Sequence, residues 1–453
     1  MSAGTLIEVV VGAVAHGGHC VARHEGRVVF VRHALPGERV VARLQAGGAG
    51  DRFWRADAVE VLDASPDRVT APCALARPGG CGGCDWQHAS LDAQRRLKGQ
   101  IVREQLVRLG GVDVASVPGL DALVAEALPV PDRADDGLGW RTRMRFAVDA
   151  EGRAALRRHR SHDLVAVEHC PIAHAEVEET GVGVKRWGPA EAVEVVAADV
   201  PPGGAPGEVQ RLVVVEPSGA GPRVNVPPLA AEASVALRTP EGLQRVRGRT
   251  WVQEHVLVDG VRRPFRVTGA GFWQVHPAAP GALTEAVLDA ARPRPGERAV
   301  DLYCGVGLFT AALALRVGPQ GAVLGVESDD RAAADARRNL HDLPQVSLET
   351  GRVERVLPRV AGPDGGGWDR ADVVVLDPPR AGAGRDVVEA VAAMDPRVIV
   401  YVACDPASLA RDVATAADLG YRLAAVRALD LFPMTGHVEC VATLVAHSSG
   451  DAR

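Results

Sequence analysis

The chain has 453 residues, of which 47% are hydrophobic and 24% are charged, and its formal net charge is −6. This length is too great for one hydrophobic core, and the composition excludes a fibrous or disordered protein, so two or three globular domains are expected. No apolar stretch reaches the roughly 18 residues that span a bilayer, and no basic signal-peptide region accompanies the N-terminal apolar run, which predicts a cytoplasmic protein without a membrane partner.

The first part of the chain is predicted to form a small barrel, followed by a cysteine-rich loop and a helix. Residues 5–62 alternate apolar and polar positions in short runs broken by Gly and Pro, which is typical of a small antiparallel barrel. A cysteine-rich loop follows at 72–88, and the apolar residues after it recur with the helix period until Gly110. Residues 112–138 are interpreted as a variable connection.

The rest of the chain changes from a strand pattern to alternating helices and strands. From Trp140 to about residue 270, strand patterns such as RMRFAVD and VQRLVVVE are separated by segments rich in Pro and Gly, which predicts a β-rich region. From about residue 278, the apolar strands ERAVDLYCG, AVLGVES, ADVVVLDPP and RVIVYVACD alternate with helical segments, which predicts an α/β, doubly wound, Rossmann-like sheet. The predicted domains are a barrel, a central β-rich domain and a Rossmann-like domain, at residues 1–63, 64–277 and 278–453.

A strand that runs into two glycines indicates a nucleotide-binding loop. In AVDLYCGVG, Gly305 and Gly307 allow a tight turn and a close approach to a ligand. Glu327 ends the next apolar strand, where an acidic residue can bind both hydroxyls of a ribose. Thr310 occupies the position of the third glycine of a dinucleotide motif, which favours an adenosyl ligand without a pyrophosphate. The alternative is a structural turn in which Glu327 is merely solvated.

Two further strand ends carry candidate catalytic residues. Asp377, in the sequence DPPR, is expected in the site because ligands bind beyond the carboxyl ends of such strands. Arg380 follows the two prolines, where many methyltransferases that act on amino nitrogens carry an aromatic residue, and this argues against N-methylation. Cys404 ends another strand, directly before the helix start Asp405-Pro406. A helix N-terminus is expected to lower the pKa of that thiol, although a packed, inert cysteine is the alternative.

A cysteine beside a nucleotide pocket fits one particular methylation chemistry. Uracil C5 is too weak a nucleophile to take a methyl group directly, whereas attack of a thiolate at C6 generates an enolate that can. A base must then remove the proton from C5. Glu439, at the start of the last predicted strand, is the candidate base.

Four motifs in this order, DLYCGVG, DPPRAG, VACDPASLARD and HVEC, closely resemble the RNA uracil-5-methyltransferase family. The N-terminal barrel at residues 1–63 resembles the TRAM domain, an RNA-binding module, and a barrel that serves only as a spacer is the alternative. The resemblance implies methyl transfer from S-adenosylmethionine to C5 of a uridine, with Cys404 as nucleophile and Glu439 as proton acceptor. It also implies that Asp377 contacts the uracil or the cofactor. The implied cofactor contacts further include Gln274 in GFWQVHP, Tyr303, Gly305, Gly307 and Glu327. His276 stands where the family usually has asparagine.

Four of the eight cysteines form a candidate metal set. Cys73, Cys81, Cys84 and Cys170 supply four thiolates, enough for a tetrahedral zinc ion or a four-iron cluster. The segments CGGCDWQH and HCPI resemble those that bind a [4Fe-4S] cluster in this family, so a structural [4Fe-4S] cluster is expected, with zinc as the alternative. The cysteines not assigned to metal or catalysis are expected to be packing residues: Cys20, Cys304 and Cys440.

RNA is the expected partner, and no obligate protein partner is indicated. Residues 138–163 contain seven arginines and three acidic residues, with Trp140 and Phe146 between them, so arginines could pair with phosphates while the rings stack on bases. A solvated face is the alternative. The resemblance favours 23S ribosomal RNA as substrate and leaves the T-loop of transfer RNA open. Two other hypotheses remain: methylation of another RNA atom with a structural Cys404, and a non-enzymatic, metal-containing RNA-binding protein.

Overall fold

The N-terminal strands close into a barrel in a computed structural model that describes residues 3–46, 48, 50–130, 135–198, 209–219, 225–269, 271–362 and 366–447. The barrel strands are β1 (Leu6–Val14), β2 (Cys20–His24), β3 (Arg27–Arg32), β4 (Arg39–Ala46) and β5 (Phe53–Asp63). They pair in the order β1-β2-β3-β5-β4, and β3 lies parallel to β5. Alternate residues such as Val29, Val31 and Trp54 point inward and form the core. The predicted barrel is confirmed.

A long helix, α1 (Leu91–Arg108), packs on both the barrel and the C-terminal sheet. Its residues Leu97 and Ile101 join the barrel core, while Val102 and Leu106 join a core of the C-terminal domain. This two-sided packing explains why apolar residues occur on more than one face of the helix. The next elements are a 3-10 helix at Val114–Ser116 and the short strand β6 (Glu126–Ala127).

The central region contains a sheet of seven strands among the described residues. Its elements are β7 (Arg143–Val148), β8 (Ala154–Arg157), β9 (Leu164–Ala166), α2 (Ala175–Glu178), a 3-10 helix (Val182–Val184), β10 (Ala190–Ala198), β11 (Gln210–Pro217), β12 (Ser234–Thr239) and β13 (Gly242–Arg247). The strand order is β13-β12-β11-β10-β7-β8-β9, and β11 and β12 are the parallel pair.

A two-stranded hairpin follows, formed by β14 (Trp251–Val258) and β15 (Val261–Thr268). Ion pairs tie it to the C-terminal domain: Arg263 contacts Asp342, and the Arg266 Nε lies 2.9 Å from the Asp335 Oδ1. The hairpin is therefore attached to the C-terminal domain.

The C-terminal domain is a doubly wound α/β sheet, as predicted. Its elements are α3 (Ala279–Ala291), β16 (Arg298–Leu302), α4 (Leu308–Val317), β17 (Ala322–Glu327), α5 (Asp330–Asn339), β18 (Val346–Thr350), α6 (Val353–Val360), β19 (Val373–Leu376), α7 (Arg385–Ala393), β20 (Val398–Ala403), α8 (Pro406–Asp418), β21 (Tyr421–Asp430) and β22 (Glu439–Ala446). The order is β18-β17-β16-β19-β20-β22-β21-β6. Among the described residues, no helix is both long and apolar enough to cross a membrane.

The strand order places the ligand crevice of this sheet. Along the chain, β17 and β18 lie on one side of β16, and β19 and β20 then lie on its other side. The point at which the strand order reverses is therefore between β16 and β19. Ligands of doubly wound sheets bind beyond the carboxyl ends of the strands at this point. The strand β18 was not among the strands predicted from the sequence. In chain order β19, which precedes Asp377, is therefore the fourth strand of this domain, whereas the sequence pattern made it the third.

The segment predicted as a variable connection contributes to this sheet, because β6 pairs in parallel with β21 and forms its edge. Residues 91–127 thus pack with the C-terminal domain although they lie far before it in sequence. The domain boundaries at residues 63 and 277 stay a prediction.

Candidate active site

The glycine turn after β16 lies beside the end of β17. The backbone N–H of Gly305 donates a 2.9 Å hydrogen bond to the Glu327 carboxylate, which also accepts from the N–H of Asp329 at 2.6 Å. Gly307 begins α4 with φ +93°, and a Cβ there would lie 2.7 Å from a methyl carbon of Leu340. A side chain at Gly307 would therefore be strained. The structure brings Gly305, Gly307 and Glu327 together, as the sequence predicted.

A buried aspartate lies under this turn. Asp301 is fully buried in β16, and its Oδ2 accepts a 2.5 Å hydrogen bond from the Thr310 hydroxyl of α4. Its other oxygen has no hydrogen-bond partner among the described residues. Burial raises the pKa of Asp301 to about 7. The Asp301–Thr310 bond joins the strand to the helix and fixes the turn between them.

Three neighbouring strands meet at the candidate catalytic residues. Asp377 follows β19, Cys404 follows β20, and Glu439 begins β22. Because Ala403 pairs with Cys440 in the antiparallel ladder, Cys404 and Glu439 are the next residues across the same two strands. The sequence-predicted nucleophile and base therefore lie at one edge of the sheet.

Desolvation controls the protonation of these groups. Burial and the neighbouring Asp377 raise the pKa of Glu439 well above its usual range, and burial raises the pKa of Asp377 to about 7. Burial, together with the carboxylates of Glu439 and Asp377, raises the pKa of Cys404 to about 11, and only Arg380 among nearby side chains lowers it. The net pKa of the thiol is therefore raised, whereas the sequence predicted a lowered value from the α8 N-terminus. Burial and the carboxylates of Glu439 and Asp377, which lie on neighbouring strands, raise the pKa more than the helix N-terminus lowers it.

The loop that carries Arg380 is anchored on α8. The N–H of Ala383 donates to the Tyr401 hydroxyl oxygen at 2.9 Å and to the Asp412 carboxylate at 2.8 Å. The Tyr401 hydroxyl in turn donates to Asp412 at 2.5 Å. Since α8 begins beside Cys404, this network fixes the loop and the cysteine to the same helix.

The barrel also contacts the residue after the cysteine. Asp405 is the N-cap of α8 and accepts a 2.8 Å hydrogen bond from the Ser408 N–H. The Nε2 of His16, in the turn between β1 and β2, lies 2.8 Å from the Asp405 carboxylate. Burial opposes ionisation of Asp405, but these hydrogen bonds lower its pKa to about 2, and the bond to Asp405 raises the pKa of His16.

The loop between β21 and β22, at residues 431–438, leads to Glu439 and is held by α1. The buried Lys98 ammonium pairs with Asp430 and donates to the Phe432 carbonyl oxygen at 2.9 Å. The N–H of Met434 donates to the Gln94 amide oxygen at 2.7 Å. Breaking a buried ion pair of this kind is strongly destabilising, because it leaves one charge uncompensated.

The same loop touches the segment that follows Cys84. The N–H of Trp86 donates to the Met434 carbonyl oxygen at 3.0 Å, and the N–H of Gly436 donates to the Asp85 carboxylate at 3.3 Å. The cysteine-rich loop and the loop before Glu439 are therefore in direct contact.

The four predicted metal ligands line one cavity of about 260 Å³, which we call the cysteine cavity: Cys73, Cys81, Cys84 and Cys170. All four are free thiols, and burial raises the pKa of Cys84 to about 12 and that of Cys170 to about 11. Among the described residues, no group of three or more Cys, His, Asp or Glu side chains is arranged to hold a metal ion. The remaining cysteines, Cys20, Cys304 and Cys440, are buried, and Cys20 and Cys440 belong to hydrophobic cores.

The structure places one of the remaining predicted site residues in the glycine turn and several others in the protein interior. Tyr303 lies in the glycine turn with φ +64°, whereas Gln274 is half-buried between β15 and α3, and its side chain makes no hydrogen bond to the described part of the chain. His276 is fully buried and stacks on Trp140, with ring centroids 6.2 Å apart. Trp140 and Phe146 are both core residues, so their predicted stacking on RNA bases is wrong.

Two domain families and several RNA methyltransferases are similar to this chain. The domain described as tRNA (Uracil-5-)-methyltransferase matches residues 241–447, and the TRAM domain matches residues 3–48. An RNA methyltransferase of Streptomyces avermitilis is 51% identical over 98% of this chain and 99% of its own length. The chain belongs to the RNA uracil-5-methyltransferase family. An RNA methyltransferase of Streptomyces coelicolor is 52% identical over 98% of this chain and 93% of its own.

A solved structure of this enzyme family has the same fold. The Pyrococcus abyssi tRNA (uracil-54, C5)-methyltransferase aligns with a TM-score of 0.68 at 22% identity, covering 97% of this chain and 100% of its own. The chain therefore shares the fold of that enzyme along nearly its whole length.

Several residues that contact the site or its loops in the structure were not predicted from the sequence. The bonds of His16 and of Lys98 to the C-terminal domain join residues that are far apart in sequence, and the Tyr401–Asp412 pair acts through a backbone N–H. One signal was available: Lys98 is one of only two lysines, with Lys185, in a chain whose other basic residues are arginine.

Proposed function

We propose that this protein transfers a methyl group from S-adenosylmethionine to C5 of a uridine in RNA, through a covalent bond between Cys404 and uracil C6. The observation that carries the proposal is the meeting of Asp377, Cys404 and Glu439 at the ends of three adjacent strands, beside the glycine turn. The Cys404 thiol supplies the nucleophile that this reaction needs, and the neighbouring Glu439 carboxyl group supplies the base.

The residues act in sequence on the uracil ring. The Cys404 thiol loses its proton to solvent, to which it is partly exposed, and the thiolate adds to C6, so that electron density moves to C5 and O4. After C5 has accepted the methyl group, Glu439 takes the C5 proton, the C6–S bond breaks and the C5=C6 double bond returns. The raised pKa of Glu439 makes its deprotonated carboxylate a stronger base, and the Arg380 guanidinium stabilises the thiolate.

The cofactor residues fit an adenosyl group. Bound S-adenosylmethionine supplies an electrophilic methyl group on a sulfonium. Glu327 would accept from the ribose hydroxyls chiefly through Oε2, which accepts one bond from a backbone N–H, whereas Oε1 accepts from a backbone N–H and from the Ser328 hydroxyl. Gly305 and Gly307 allow close approach of the backbone, and Tyr303, Gln274 and Asp377 would complete the contacts.

We further propose that the cysteine cavity holds a [4Fe-4S] cluster. Four thiols around one cavity provide the ligand set of such a cluster. A zinc ion held by four cysteine sulfurs is the alternative. We prefer the cluster because the segments CGGCDWQH and HCPI resemble those that bind a [4Fe-4S] cluster in this family. Reduced thiols of this kind fit a cytoplasmic location.

For the substrate we propose 23S ribosomal RNA, because the chain combines the barrel with the four-cysteine set. Transfer RNA is the second candidate, since the Pyrococcus abyssi enzyme, which has this fold over its whole length, is a tRNA (uracil-54, C5)-methyltransferase.

The test is to incubate the protein with methyl-labelled S-adenosylmethionine and either 23S ribosomal RNA or transfer RNA, and to locate 5-methyluridine by mass spectrometry. We expect label at C5 of one uridine of ribosomal RNA. Label only in transfer RNA would reverse the choice of substrate, and label on a nitrogen or on cytosine would refute uracil C5 chemistry.

A variant sharpens the covalent mechanism. Glu439→Gln should accumulate a protein–RNA adduct that survives denaturing electrophoresis, because the methylated intermediate cannot lose its C5 proton and release Cys404. Cys404→Ala should form no such adduct. An adduct in both variants would exclude Cys404 as the nucleophile.

A further inference from the structure

A fully buried glutamine of α1, Gln94, joins three segments of the chain. Its amide nitrogen donates to the carbonyl oxygens of Trp86 at 3.1 Å and Ala89 at 2.9 Å, and its amide oxygen accepts from the Met434 N–H at 2.7 Å. Both polar atoms of the amide therefore have partners, as a buried glutamine requires. These partners belong to the cysteine-rich loop, to the residues just before α1 and to the loop of residues 431–438.

Met434 is held at both of its backbone polar groups. Its N–H donates to Gln94, and its carbonyl oxygen accepts from the Trp86 N–H at 3.0 Å. Because Gln94 also accepts no other strain than its bond to Trp86, the three residues form a closed ring of hydrogen bonds. Met434 has φ +69°, in the left-handed region that residues other than glycine rarely adopt. A backbone in this region persists only where its surroundings hold it, and Gln94 supplies one of the two backbone bonds that do so.

Gln94 and Lys98 hold this loop from one face of α1. They are four residues apart, so they lie one helical turn from each other on the same face. Lys98 pairs with Asp430 and donates to the Phe432 carbonyl oxygen. Gln94 holds Met434, two residues further along. One helix face therefore fixes the path of the loop that leads into β22.

The position of Glu439 depends on this loop. Its side chain is buried, yet no hydrogen bond holds its carboxyl group among the described residues. The backbone must therefore place it. The strand β22 begins at Glu439, opposite Leu429 of β21, and residues 431–438 close the turn between the two strands. A shift of the loop at Met434, five residues before Glu439, would move the start of β22 and the carboxyl group with it.

We propose that Gln94 is a positioning residue of the methyl transfer reaction, which holds the loop of residues 431–438 so that the Glu439 carboxylate meets the C5 proton of the methylated uracil. The inference rests on the proposed function. In this step the C5–H bond breaks, the proton goes to Glu439, and the electron pair of that bond forms the C5=C6 double bond. The C6–S bond breaks, and its electron pair leaves on Cys404 as the thiolate.

The step that depends on Gln94 is the last of the reaction. Addition of Cys404 to C6 and transfer of the methyl group both precede the action of Glu439, so a displaced base leaves them unchanged. RNA that already carries the new methyl group, and is still bonded to Cys404, should therefore accumulate. A misplacement of about 1 Å can cost roughly a hundredfold in rate, which sets the upper range of the expected loss.

The test compares Gln94→Met with Gln105→Met in the full-length protein. Methionine has a similar length and volume, but the hydrogen bonds of the amide are lost. Gln105 is a second buried glutamine of α1, and its side chain makes no hydrogen bond to residues 431–438 in the described part of the chain. It is therefore the matched control for lost stability. Excess protein is mixed with methyl-labelled S-adenosylmethionine and 23S ribosomal RNA, and label that stays on denatured protein after ribonuclease digestion is counted.

Gln94→Met should accumulate labelled protein, as Glu439→Gln does, while methyl transfer in a single turnover stays within about twofold of the wild type. In multiple turnovers kcat should fall roughly tenfold or more without a rise in KM for RNA. Gln105→Met and the wild type should accumulate no label on protein. As a readout without RNA, hydrogen exchange at the Met434 amide should accelerate in Gln94→Met, because that amide loses its acceptor.

The outcomes separate this inference from the proposed function. If Gln94→Met does not fold, Gln94→Asn, which keeps the amide but is one methylene shorter, should give the same accumulation. Wild-type release rates in a folded Gln94 variant, equal accumulation in Gln105→Met, or slower methyl transfer without an adduct would each refute the positioning role alone. Wild-type protein that methylates no uridine of ribosomal or transfer RNA would refute the proposed function, and this inference with it.

Discussion

Two groups of thiols in this molecule share burial but differ in what surrounds them. Cys404 lies beside the carboxyl groups of Glu439 and Asp377 and the guanidinium of Arg380. The four cysteines of the cavity lie beside one another and beside Arg141. Burial raises the pKa of Cys404 and of three of the cavity thiols, so neither group ionises readily by itself.

The difference in neighbours indicates what each group requires. Four thiolates in this cavity would repel one another, and Arg141 alone would not balance their charge, so we expect them to ionise only with the proposed metal group. A single thiolate at Cys404 requires only Arg380 and the positive charge of a bound sulfonium. Changes in the cavity should therefore alter metal content and stability, whereas changes around Cys404 should alter reactivity.

The largest expected effect separates the two groups by activity. Cys404→Ala should reduce methyl transfer to RNA by at least about a thousandfold, because no other nucleophile can open the C5=C6 bond. Iron content and melting temperature should match the wild type. Transfer of labelled methyl is the measurement, and Cys20→Ala, a buried cysteine of the barrel, is the control that should keep activity. Substantial activity in Cys404→Ala would contradict the covalent mechanism.

The second largest effect separates Cys404 from the four cysteines of the cavity by metal content. Cys84→Ser should abolish the visible absorption of anaerobically purified protein and reduce its iron from about four atoms per chain to near zero. The melting temperature should fall, and hydrogen exchange should accelerate at the amides of Trp86 and Gly436, because these amides donate to the Met434 carbonyl oxygen and the Asp85 carboxylate across the contact between the two loops. One equivalent of zinc and no iron in the wild type would refute the cluster and favour the zinc alternative.

A smaller effect concerns the reactivity of the nucleophile. With a pKa of about 11, Cys404 is almost wholly protonated at neutral pH, so its alkylation by iodoacetamide should speed up about tenfold per pH unit from 7 to 10. Arg380→Met should slow it severalfold at each pH, since that guanidinium lowers the pKa. Peptide mass spectrometry measures the rate.

The control for this effect is Arg385→Met, at an exposed arginine that pairs with Glu389. It should leave the alkylation rate unchanged. A rate that levels off below pH 8 in the wild type would show that the α8 N-terminus does control the thiol, and would overturn the pKa argument.

The positions of the catalytic residues could be predicted from the sequence, but the pKa of the nucleophile could not. Apolar strand patterns mark where β16, β19 and β20 end, and parallel strands carry those ends to one edge, so Asp377 and Cys404 were predictable. The pKa of Cys404 was not, because its burial and the carboxylate of Glu439 arise only in the folded sheet. A helix start is visible locally, whereas a neighbour from another strand is not.

The same limit explains the missed contacts and the misplaced rings. His16 and Asp405 are 389 positions apart, and Lys98 and Asp430 are 332 apart, so their pairing depends on tertiary packing alone. Trp140 and Phe146 sit in an arginine-rich segment, which favoured an exposed interpretation, but Phe146 points into the core from β7 and Trp140 packs on His276.

The smallest expected effect tests the link between the barrel and Cys404. His16→Gln removes the charged partner of Asp405 and should lower the free energy of unfolding by about 0.5 kcal/mol at pH 6, a modest value because the pair is partly exposed. Since the bond raises the pKa of His16, the charged pair is complete below pH 6.5 and is lost as the pH rises through the raised value. The difference between wild type and variant should therefore vanish by about pH 9, as measured by urea unfolding. A difference that persists at pH 9 would show that His16 contributes by packing and not by its charge.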